Sequence, residues 1–263
     1  IKSQIFYLKK MINKKKVILI TGGAGRIGSA LTKELINQKC KIVLGDIDII
    51  KLKKLKNSFN TNNIEVFKSN ITKDKDIDGL INFALKKFKT IDAVVHCAYP
   101  KSKNWGKKFE NLKEKSLKED LSNQLGGTII FCQKIIKYFL KSKKGNLILI
   151  SSIHGIQSPK FEHYKKLNMI NPIEYSAIKS GVISITKYLA KYYKKRNLRI
   201  NCVSPGGIKD NQPEVFIKRY KESCNSKGLL NGSDVSKLIT FLISDDSKYI
   251  HGQNFVIDDG WSL

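Results

Sequence analysis

Tyr175 and Lys179 stand four residues apart, and their types and spacing suit acid–base chemistry. On a helix, residues four apart share one face, so a phenol and an ammonium group would point into the same cleft. A free tyrosine has a pKa of about 10, which is too high for easy proton exchange at neutral pH. We expect the lysine charge to lower that pKa and to make Tyr175 a general acid or base for a carbonyl and alcohol pair.

A glycine-rich segment, Thr21-Gly-Gly-Ala-Gly-Arg-Ile-Gly28, follows the short apolar run Val17-Ile-Leu-Ile20. Such a turn between a strand and a helix lets the backbone approach a pyrophosphate, and the helix N-terminus supplies N–H groups. Asp46 ends the next predicted strand, where a carboxylate would bond ribose hydroxyls and repel a 2′-phosphate. The alternative for the glycine segment is an ordinary tight turn.

The elements that would position these residues alternate between strand and helix. Strands are predicted at 17–20, 41–44, 64–67, 91–95, 146–150, 198–203 and 255–257. Helices are predicted at 27–38, 49–57, 77–88, 117–140, 172–195 and 233–243, the last with Ser233 as its N-cap. This order predicts an α/β fold with a doubly wound parallel sheet, in which ligands bind beyond the carboxyl ends of the strands.

The chain has 263 residues, enough for one large α/β domain. We expect residues 15–263 to form it, and residues 1–14 to be a poorly ordered extension, with Met11 as the natural start. The five cysteines (Cys40, Cys97, Cys132, Cys202, Cys224) form no C-x-x-C pair, so neither zinc nor a disulfide framework is indicated, and scattered thiols fit a reducing cytoplasm. No apolar run approaches the ~20 residues that span a bilayer.

The net charge of +27 invites a nucleic-acid interpretation, which we do not favour. Nearly all the basic residues are lysines, and the only arginines are Arg26, Arg196, Arg199 and Arg219. Arginine is the usual reader of base edges. A positive field should instead favour anionic cofactors and substrates.

These motifs together resemble the short-chain dehydrogenase/reductase family. The glycine segment is similar to the family's T-G-x-x-x-G-x-G, and Y-x-x-x-K follows a serine-bearing strand, Asn146-Leu-Ile-Leu-Ile-Ser-Ser152. The segments Arg199-Ile-Asn-Cys-Val-Ser-Pro-Gly206 and Gly252-Gln-Asn-Phe-Val-Ile-Asp-Asp-Gly260 resemble the family's Pro-Gly turn and last strand. The resemblance covers about residues 15–263. It implies a Rossmann-type fold and an NAD(P)-dependent oxidoreductase that interconverts a carbonyl and a secondary alcohol.

The resemblance also implies roles for individual residues. Ser152, Tyr175 and Lys179 would be catalytic, with Ser151 structural and Gln124 at the position of the family's proton-relay asparagine. No metal is implied. The cofactor would be held by Thr21, Gly22, Gly25, Arg26, Ile27, Gly28, Asp46, Asn70, Ile71, Ala98, Tyr175, Lys179, Pro205, Gly206 and Ile208. NAD is the expected cofactor and NADP the alternative.

Several positions depart from the family's pattern. Arg26 replaces the middle glycine, Asn70 replaces an aspartate that contacts adenine, and Asp210 replaces the threonine after the Pro-Gly turn. His96 stands in place of a structural asparagine. We expect Arg26 either to reach the cofactor phosphates or to lie outward.

An insertion at about 157–171 separates Ser152 from Tyr175 by more residues than the family usually has. We expect it to lie over the active site and Tyr99, His154, His163 and Tyr164 to contact the substrate. For His163 and Tyr164, loop packing is the alternative. The insertion resembles a subgroup from bacterial surface-sugar and flagellin-glycan gene clusters, which implies a sugar or nucleotide-activated sugar as substrate.

Two other functions stay open at this stage. One is a 3-oxoacyl-thioester (acyl-carrier-protein) reductase, because a basic surface suits an acidic carrier protein. The other is a catalytically silent, cofactor-binding regulator, against which the intact Ser152, Tyr175 and Lys179 argue. We expect a homo-oligomer, a dimer or tetramer, through the two long helices, whose apolar residues include Ile129, Ile130, Phe131, Ile183, Ile185 and Leu189. We expect no nucleic-acid or membrane partner.

Overall fold

The structure is a computed structural model, and it describes residues 15–263. The predictions for residues 1–14, including a natural start at Met11, lie outside the described residues. No helix in the described range is both long and apolar enough to cross a membrane.

Within residues 15–263, seven strands form one parallel sheet. They are β1 (Val17–Thr21), β2 (Lys41–Asp46), β3 (Ile64–Lys68), β4 (Ala93–His96), β5 (Gly145–Ile150), β6 (Leu198–Pro205) and β7 (Asn254–Ile257). The order across the sheet is β3-β2-β1-β4-β5-β6-β7, and every pairing is parallel. This confirms the predicted Rossmann-type fold. The strand order reverses between β1 and β4, which is where such sheets open a ligand crevice.

Eight α-helices cover the sheet in the described part of the chain. They are α1 (Arg26–Asn37), α2 (Ile49–Asn57), α3 (Asp74–Phe88), α4 (Glu114–Asp120), α5 (Gly127–Ser142), α6 (Ile173–Tyr192), α7 (Glu214–Glu222) and α8 (Gly232–Ile243). One helix was predicted at 117–140. The structure has α4 and α5 there, which a π-helical turn, Leu121–Gly126, joins, and together they span 114–142. Helix α7 was not predicted; it is short and buries only Phe216 and Tyr220.

Both faces of the sheet are buried, as the uninterrupted apolar strands predict. Along β1, Ile18 and Ile20 belong to the core on the side of α1 and α8, and Leu19 belongs to the core on the side of α5 and α6. Two of the apolar residues expected at a subunit interface, Phe131 and Ile183, lie in this second core instead. Side chains alternate along strands, so each helix layer receives every second residue.

The N-cap prediction for α8 was wrong. Asn231, not Ser233, caps the helix, and its side chain accepts from the N–H of Asp234 while the Asp234 carboxylate accepts from the N–H of Asn231 at 2.8 Å. This reciprocal capping box needs an acidic residue three positions after the cap, and only Asn231 has one.

A third, smaller core lies beyond the carboxyl ends of the strands. It contains Ile153, Phe216, Tyr220, Leu229 and Trp261. The partly buried side chains of Tyr164, Leu167 and Met169 pack on it. The insertion after β5 is therefore fastened to α7 and to the C-terminal segment.

Candidate active site

A groove runs along the carboxyl ends of the strands. Its larger part is a cavity of about 440 Å³, and a smaller one of about 270 Å³ adjoins it. Both are lined by Gly22, Gly25, Cys97 and Tyr99, so they form one continuous site. Asp46 and Asn70 lie in the smaller part, while Tyr175 and Lys179 lie in the larger part.

The floor between the two parts is glycine backbone. Gly22 has a φ of +67°, and a Cβ there would lie 2.7 Å from the carbonyl carbon of Cys97. A Cβ at Gly28 would lie 2.4 Å from the oxygen of Gly22. Side chains are therefore excluded from the β1–α1 turn, and the N-terminus of α1 opens onto the groove. This floor fits the pyrophosphate of a dinucleotide, whose negative charge the helix N-terminus favours.

Asp46 is held in place at the end of β2. Its Oδ2 accepts from the N–H of Ala24 at 3.0 Å, and its Oδ1 accepts from the N–H of Asp48 at 3.0 Å. The carboxylate is thereby tied to the glycine turn while it lines the smaller cavity. Beside it, the Oδ1 of Asn70 accepts from the N–H and the hydroxyl of Thr72. This end of the groove suits the adenosine half of a dinucleotide.

Fourteen of the fifteen predicted cofactor residues line the groove, and Thr21 does not. Thr21 is fully buried, and its hydroxyl bonds to Nδ1 of His96 at 2.8 Å. Its side chain points from β1 towards β4 rather than towards the groove. Its predicted contact with the cofactor stays a hypothesis; in this geometry the Thr21 side chain joins the two strands, with His96 as its partner. The same burial lowers the pKa of His96 to about 3 and keeps the ring neutral.

Ser152, Tyr175 and Lys179 meet at the larger end of the groove. Ser152 follows β5, and the other two lie one turn apart on α6. The Nζ of Lys179 donates to the carbonyl of Ile150 at 3.0 Å and lies 5.6 Å from the centre of the Tyr175 ring. Side chains of all three line the cavity. The arrangement places a hydroxyl, a phenol and an ammonium group around one space.

Burial, rather than the lysine charge, dominates the proton affinities of this pair. Burial raises the pKa of Tyr175 above its ordinary value, and a hydrogen bond with Ser152 opposes that rise. Burial lowers the pKa of Lys179 to about 8. The expected lowering of the pKa of Tyr175 was therefore wrong, because the site disfavours both charged forms.

Helix α6 is held against the segment after β5 by two hydrogen bonds and by a close backbone contact. The hydroxyl of Ser151 donates to the carbonyl of Lys179 at 2.7 Å, and that of Ser180 donates to the carbonyl of Gly155 at 2.8 Å. A Cβ at Gly155 would lie 2.7 Å from the carbonyl carbon of Lys179. These contacts set the position of Lys179 and support the structural role predicted for Ser151, which also lines the cavity.

Aromatic rings surround the phenol of Tyr175. The ring centre of Tyr99 lies 5.6 Å from it, that of Trp105 6.2 Å and that of His154 6.3 Å. Trp261 contacts His154 at 5.3 Å. Sequence reasoning missed Trp105 as a site residue, since no spacing relates it to Tyr175. It also missed Trp261, which packs on His154 without lining the cavity. Burial lowers the pKa of His154 to about 4, so it is a neutral contact group at physiological pH.

The insertion contributes one wall of the cavity. Tyr164, Met169, Ile170 and Asn171 line it, whereas His163 does not. His163 is buried, and its Nε2 bonds to the hydroxyl of Ser223 at 2.9 Å. Its expected contact with substrate is therefore not what this geometry favours, and the packing alternative fits better.

Gln124 lies in the π-helical turn and does not line the groove. Both atoms of its side-chain amide are buried with no hydrogen-bond partner. Its backbone carbonyl accepts from the hydroxyl of Thr128 at 2.6 Å. A relay role for Gln124 stays a hypothesis. In residues 15–263, no three His, Cys, Asp or Glu side chains cluster to hold a metal ion.

Known proteins resemble this chain over nearly its whole length. A family model described as enoyl-(acyl carrier protein) reductase matches residues 22–262. Post-translational flagellin modification protein A of Campylobacter coli is 38% identical, over 95% of this chain and 99% of the relative. A 3-oxoacyl-[acyl-carrier-protein] reductase of Thermotoga maritima is 29% identical, over 93% of this chain and 97% of the relative.

A solved structure extends the comparison to three dimensions. The crystal structure of a short chain dehydrogenase from Leptospira borgpetersenii with bound NAD+ matches with a TM-score of 0.83 and 29% identity. The match covers 95% of this chain and 94% of that chain. The flagellin-modification relative confirms the predicted likeness to proteins of flagellin-glycan clusters.

Proposed function

The chain belongs to the short-chain dehydrogenase/reductase family, and we propose that it reduces a carbonyl on a sugar or nucleotide-activated sugar in bacterial surface-glycan biosynthesis. The observation that carries the proposal is the position of Ser152, Tyr175 and Lys179 at one end of a groove that fits a dinucleotide. A nicotinamide cofactor supplies or accepts the hydride when it is bound. All other chemistry falls to the side chains of the protein.

Three residues act on the carbonyl oxygen of the substrate, each in a different role. The hydroxyl of Ser152 donates a hydrogen bond that orients the oxygen, and Tyr175 delivers the proton. The charge of Lys179 stabilises the phenolate that this transfer leaves behind. Because burial raises the pKa of Tyr175, the phenol is protonated at neutral pH and is ready to act as an acid.

A sugar suits the cavity better than a fatty acyl chain does. Tyr99, Trp105 and Tyr164 offer rings to the apolar faces of a sugar, and Asn171 offers an amide to its hydroxyls. A sugar-modifying role also fits the flagellin-modification relative. The second candidate is a 3-oxoacyl-thioester reductase, which the net charge of +27 and the Thermotoga relative favour.

A substrate panel tests the proposal. Nucleotide-activated keto-sugars, free keto-sugars and acetoacetyl thioesters are offered with NADH and with NADPH, and the loss of nicotinamide absorbance is followed. We expect a keto-sugar to be reduced and the thioester to react far more slowly. Rapid reduction of the thioester with no reaction of any sugar would favour the second candidate instead.

NAD is the cofactor that we propose. Asp46 lines the end of the groove that suits adenosine, where its carboxylate would repel a 2′-phosphate. Arg26, the charge that would pull the other way, is paired with Asp210. Replacing Asp46 by alanine should shift the ratio of NADPH to NADH affinity by about tenfold towards NADPH.

Affinities for both cofactors, measured by fluorescence titration, provide the check. Asp78→Ala removes an equal charge that pairs with Lys134 on the protein surface, and should leave the ratio unchanged. A wild-type protein that strongly prefers NADPH would contradict the role of Asp46.

We also propose that the protein works in the cytoplasm as a homo-oligomer. All five of its cysteines are unpaired, as expected in a reducing compartment. Large apolar side chains on α5 and α6 are exposed, among them Ile129, Ile130, Tyr188 and Tyr192. Exposed apolar patches of this kind mark association surfaces.

A further inference from the structure

Two residues that depart from the family's pattern, Arg26 and Asp210, form an ion pair with each other. Arg26 is the first residue of α1, directly after the glycine turn, and Asp210 lies in the loop that follows β6. On either side of Asp210, Ile208 and Gln212 line the same cavity that Gly25 and Arg26 line. The pair therefore joins two elements that border the groove from different strands.

The backbone at both ends of the pair is fixed. The N–H of Asp210 donates to Oε1 of Gln212 at 2.6 Å, and Nε2 of Gln212 donates to the carbonyl of Ile208 at 2.8 Å. At the other end, a Cβ on Gly232 would lie 2.3 Å from the carbonyl oxygen of Arg26, so α8 packs directly against the start of α1.

The exposure of the pair suits a contact that opens and closes. The side chain of Arg26 is 53% exposed and that of Asp210 is 42% exposed. Ion pairs with this much contact with water are weak and contribute little to the stability of a fold. They break and re-form easily, and they strengthen when a bound group displaces the surrounding water.

We propose that Arg26 and Asp210 form a clasp that closes across the cofactor groove and slows the release of the bound dinucleotide. The inference rests on the proposed function, in which the groove holds a nicotinamide dinucleotide. Arg26 contributes positive charge beside the N-terminus of α1. Asp210 is a positioning residue that acts through Arg26, since it holds the guanidinium across the groove.

Replacing Asp210 by asparagine distinguishes the clasp from a simple effect of charge, because the two explanations predict opposite changes in the rate of cofactor release. The cofactor is an anion, so removal of a nearby carboxylate should by itself slow its release. If Asp210 acts by holding Arg26, the same substitution should speed release. We expect the NADH dissociation rate constant of Asp210→Asn to rise by about fivefold, the range of an exposed ion pair.

The rate is measured by stopped-flow fluorescence, as protein-bound NADH is displaced by excess NAD. Arg26→Gln and the double variant complete a mutant cycle, in which the double variant should release NADH no faster than Arg26→Gln alone. Glu214→Gln removes an equal charge from the same exposed region and is the matched control, with a rate at or below that of the wild type. High salt should reduce the difference between the wild type and Asp210→Asn.

Two results would overturn the clasp. One is an NADH release from Asp210→Asn that is as slow as in the wild type, or slower. The other is an Asp210→Asn effect that persists in full in the Arg26→Gln background. Neither result bears on the proposed function, which is tested separately by whether the wild-type protein binds NADH and reduces a carbonyl.

Discussion

Lys179 is buried beside Tyr175, and its ammonium group is bonded to the carbonyl of Ile150. Because burial lowers its pKa to about 8, the side chain is charged below that pH and neutral above it. The charge is needed at the moment when Tyr175 gives up its proton, and the Nζ of Lys179 lies 5.6 Å from the centre of the Tyr175 ring. The ability of Tyr175 to donate its proton therefore depends on the protonation state of Lys179.

The rate of carbonyl reduction should therefore fall as the pH rises through about 8. Profiles of kcat/KM from about pH 6 to about pH 10 would show this limb, because they report the ionisations of the free enzyme. In Lys179→Arg the charge does not titrate in this range, so any remaining activity should lack the limb. A wild-type rate that stays level to about pH 10 would count against this role of Lys179.

The spacing of residues along the sequence predicted part of the active site. Tyr175 and Lys179 were found because four residues on a helix define one face, and the glycine turn because only glycine permits that approach of backbone. Trp105 was missed because the fold, rather than any spacing, brings it to Tyr175, and Trp261 because the fold brings it to His154. The direction of the pKa shift of Tyr175 was wrong because the pairwise charge argument left out burial.

At the scale of elements, the contact between α6 and the 3₁₀ turn Ile153–Gly155 sets the catalytic geometry. The carbonyl of Lys179 accepts from Ser151, and the Cα of Gly155 faces the same peptide without a side chain between them. Any atom added at Gly155 must push α6 away from the end of β5. Tyr175 and Lys179 would then move together relative to Ser152.

Gly155→Ala should lower kcat/KM by about 10- to 100-fold, because small displacements of reacting groups are costly. Steady-state kinetics and NADH titration together measure this, and the NADH affinity should change much less. Gly126→Ala is the control, since a Cβ there meets only the oxygen of Leu121 at 3.9 Å. Wild-type kinetics in Gly155→Ala would show that the position of α6 is not set by this contact.

Hydrophobic patterning predicted every strand and most helices of the described chain, since both sheet faces are buried. It did not predict α7, whose mostly polar residues carry two core side chains, nor the π-helical turn before α5. Helical and π-helical turns have similar residue preferences, so the change of hydrogen-bond register leaves no signal in the sequence. The element boundaries also moved by a few residues, because the ends of elements fray and have no sharp limit.

Two features of the whole molecule have opposite effects on self-association. An apolar surface on α5 and α6 favours it, and the strong positive charge opposes it. Ile129, Ile130, Tyr188 and Tyr192 are between 40% and 67% exposed, and the rings of the two tyrosines stack. The net charge of +27 opposes the approach of a second copy. Salt screens that repulsion, while the burial of apolar surface is not weakened by it.

We expect the mass in solution to exceed one chain at micromolar concentration, and to increase from low to physiological salt. Light scattering after size-exclusion chromatography measures both effects. The double substitution Ile130→Glu and Tyr192→Glu should reduce the mass to that of a monomer. Ile50→Glu, at an exposed site on α2, is the control and should not. A monomer at every salt concentration would refute the association.

Replacing Tyr175 by phenylalanine tests its role as the proton donor, because it removes one oxygen atom and leaves the ring in place. With the carbonyl substrate and NADH, turnover followed at the nicotinamide absorbance should fall by about 10²- to 10⁴-fold, while the NADH affinity stays nearly intact. Tyr164→Phe, a second cavity-lining tyrosine, is the matched control and should lower kcat far less. Near wild-type turnover in Tyr175→Phe, or its loss in Tyr164→Phe instead, would contradict the assignment of Tyr175 as the proton donor.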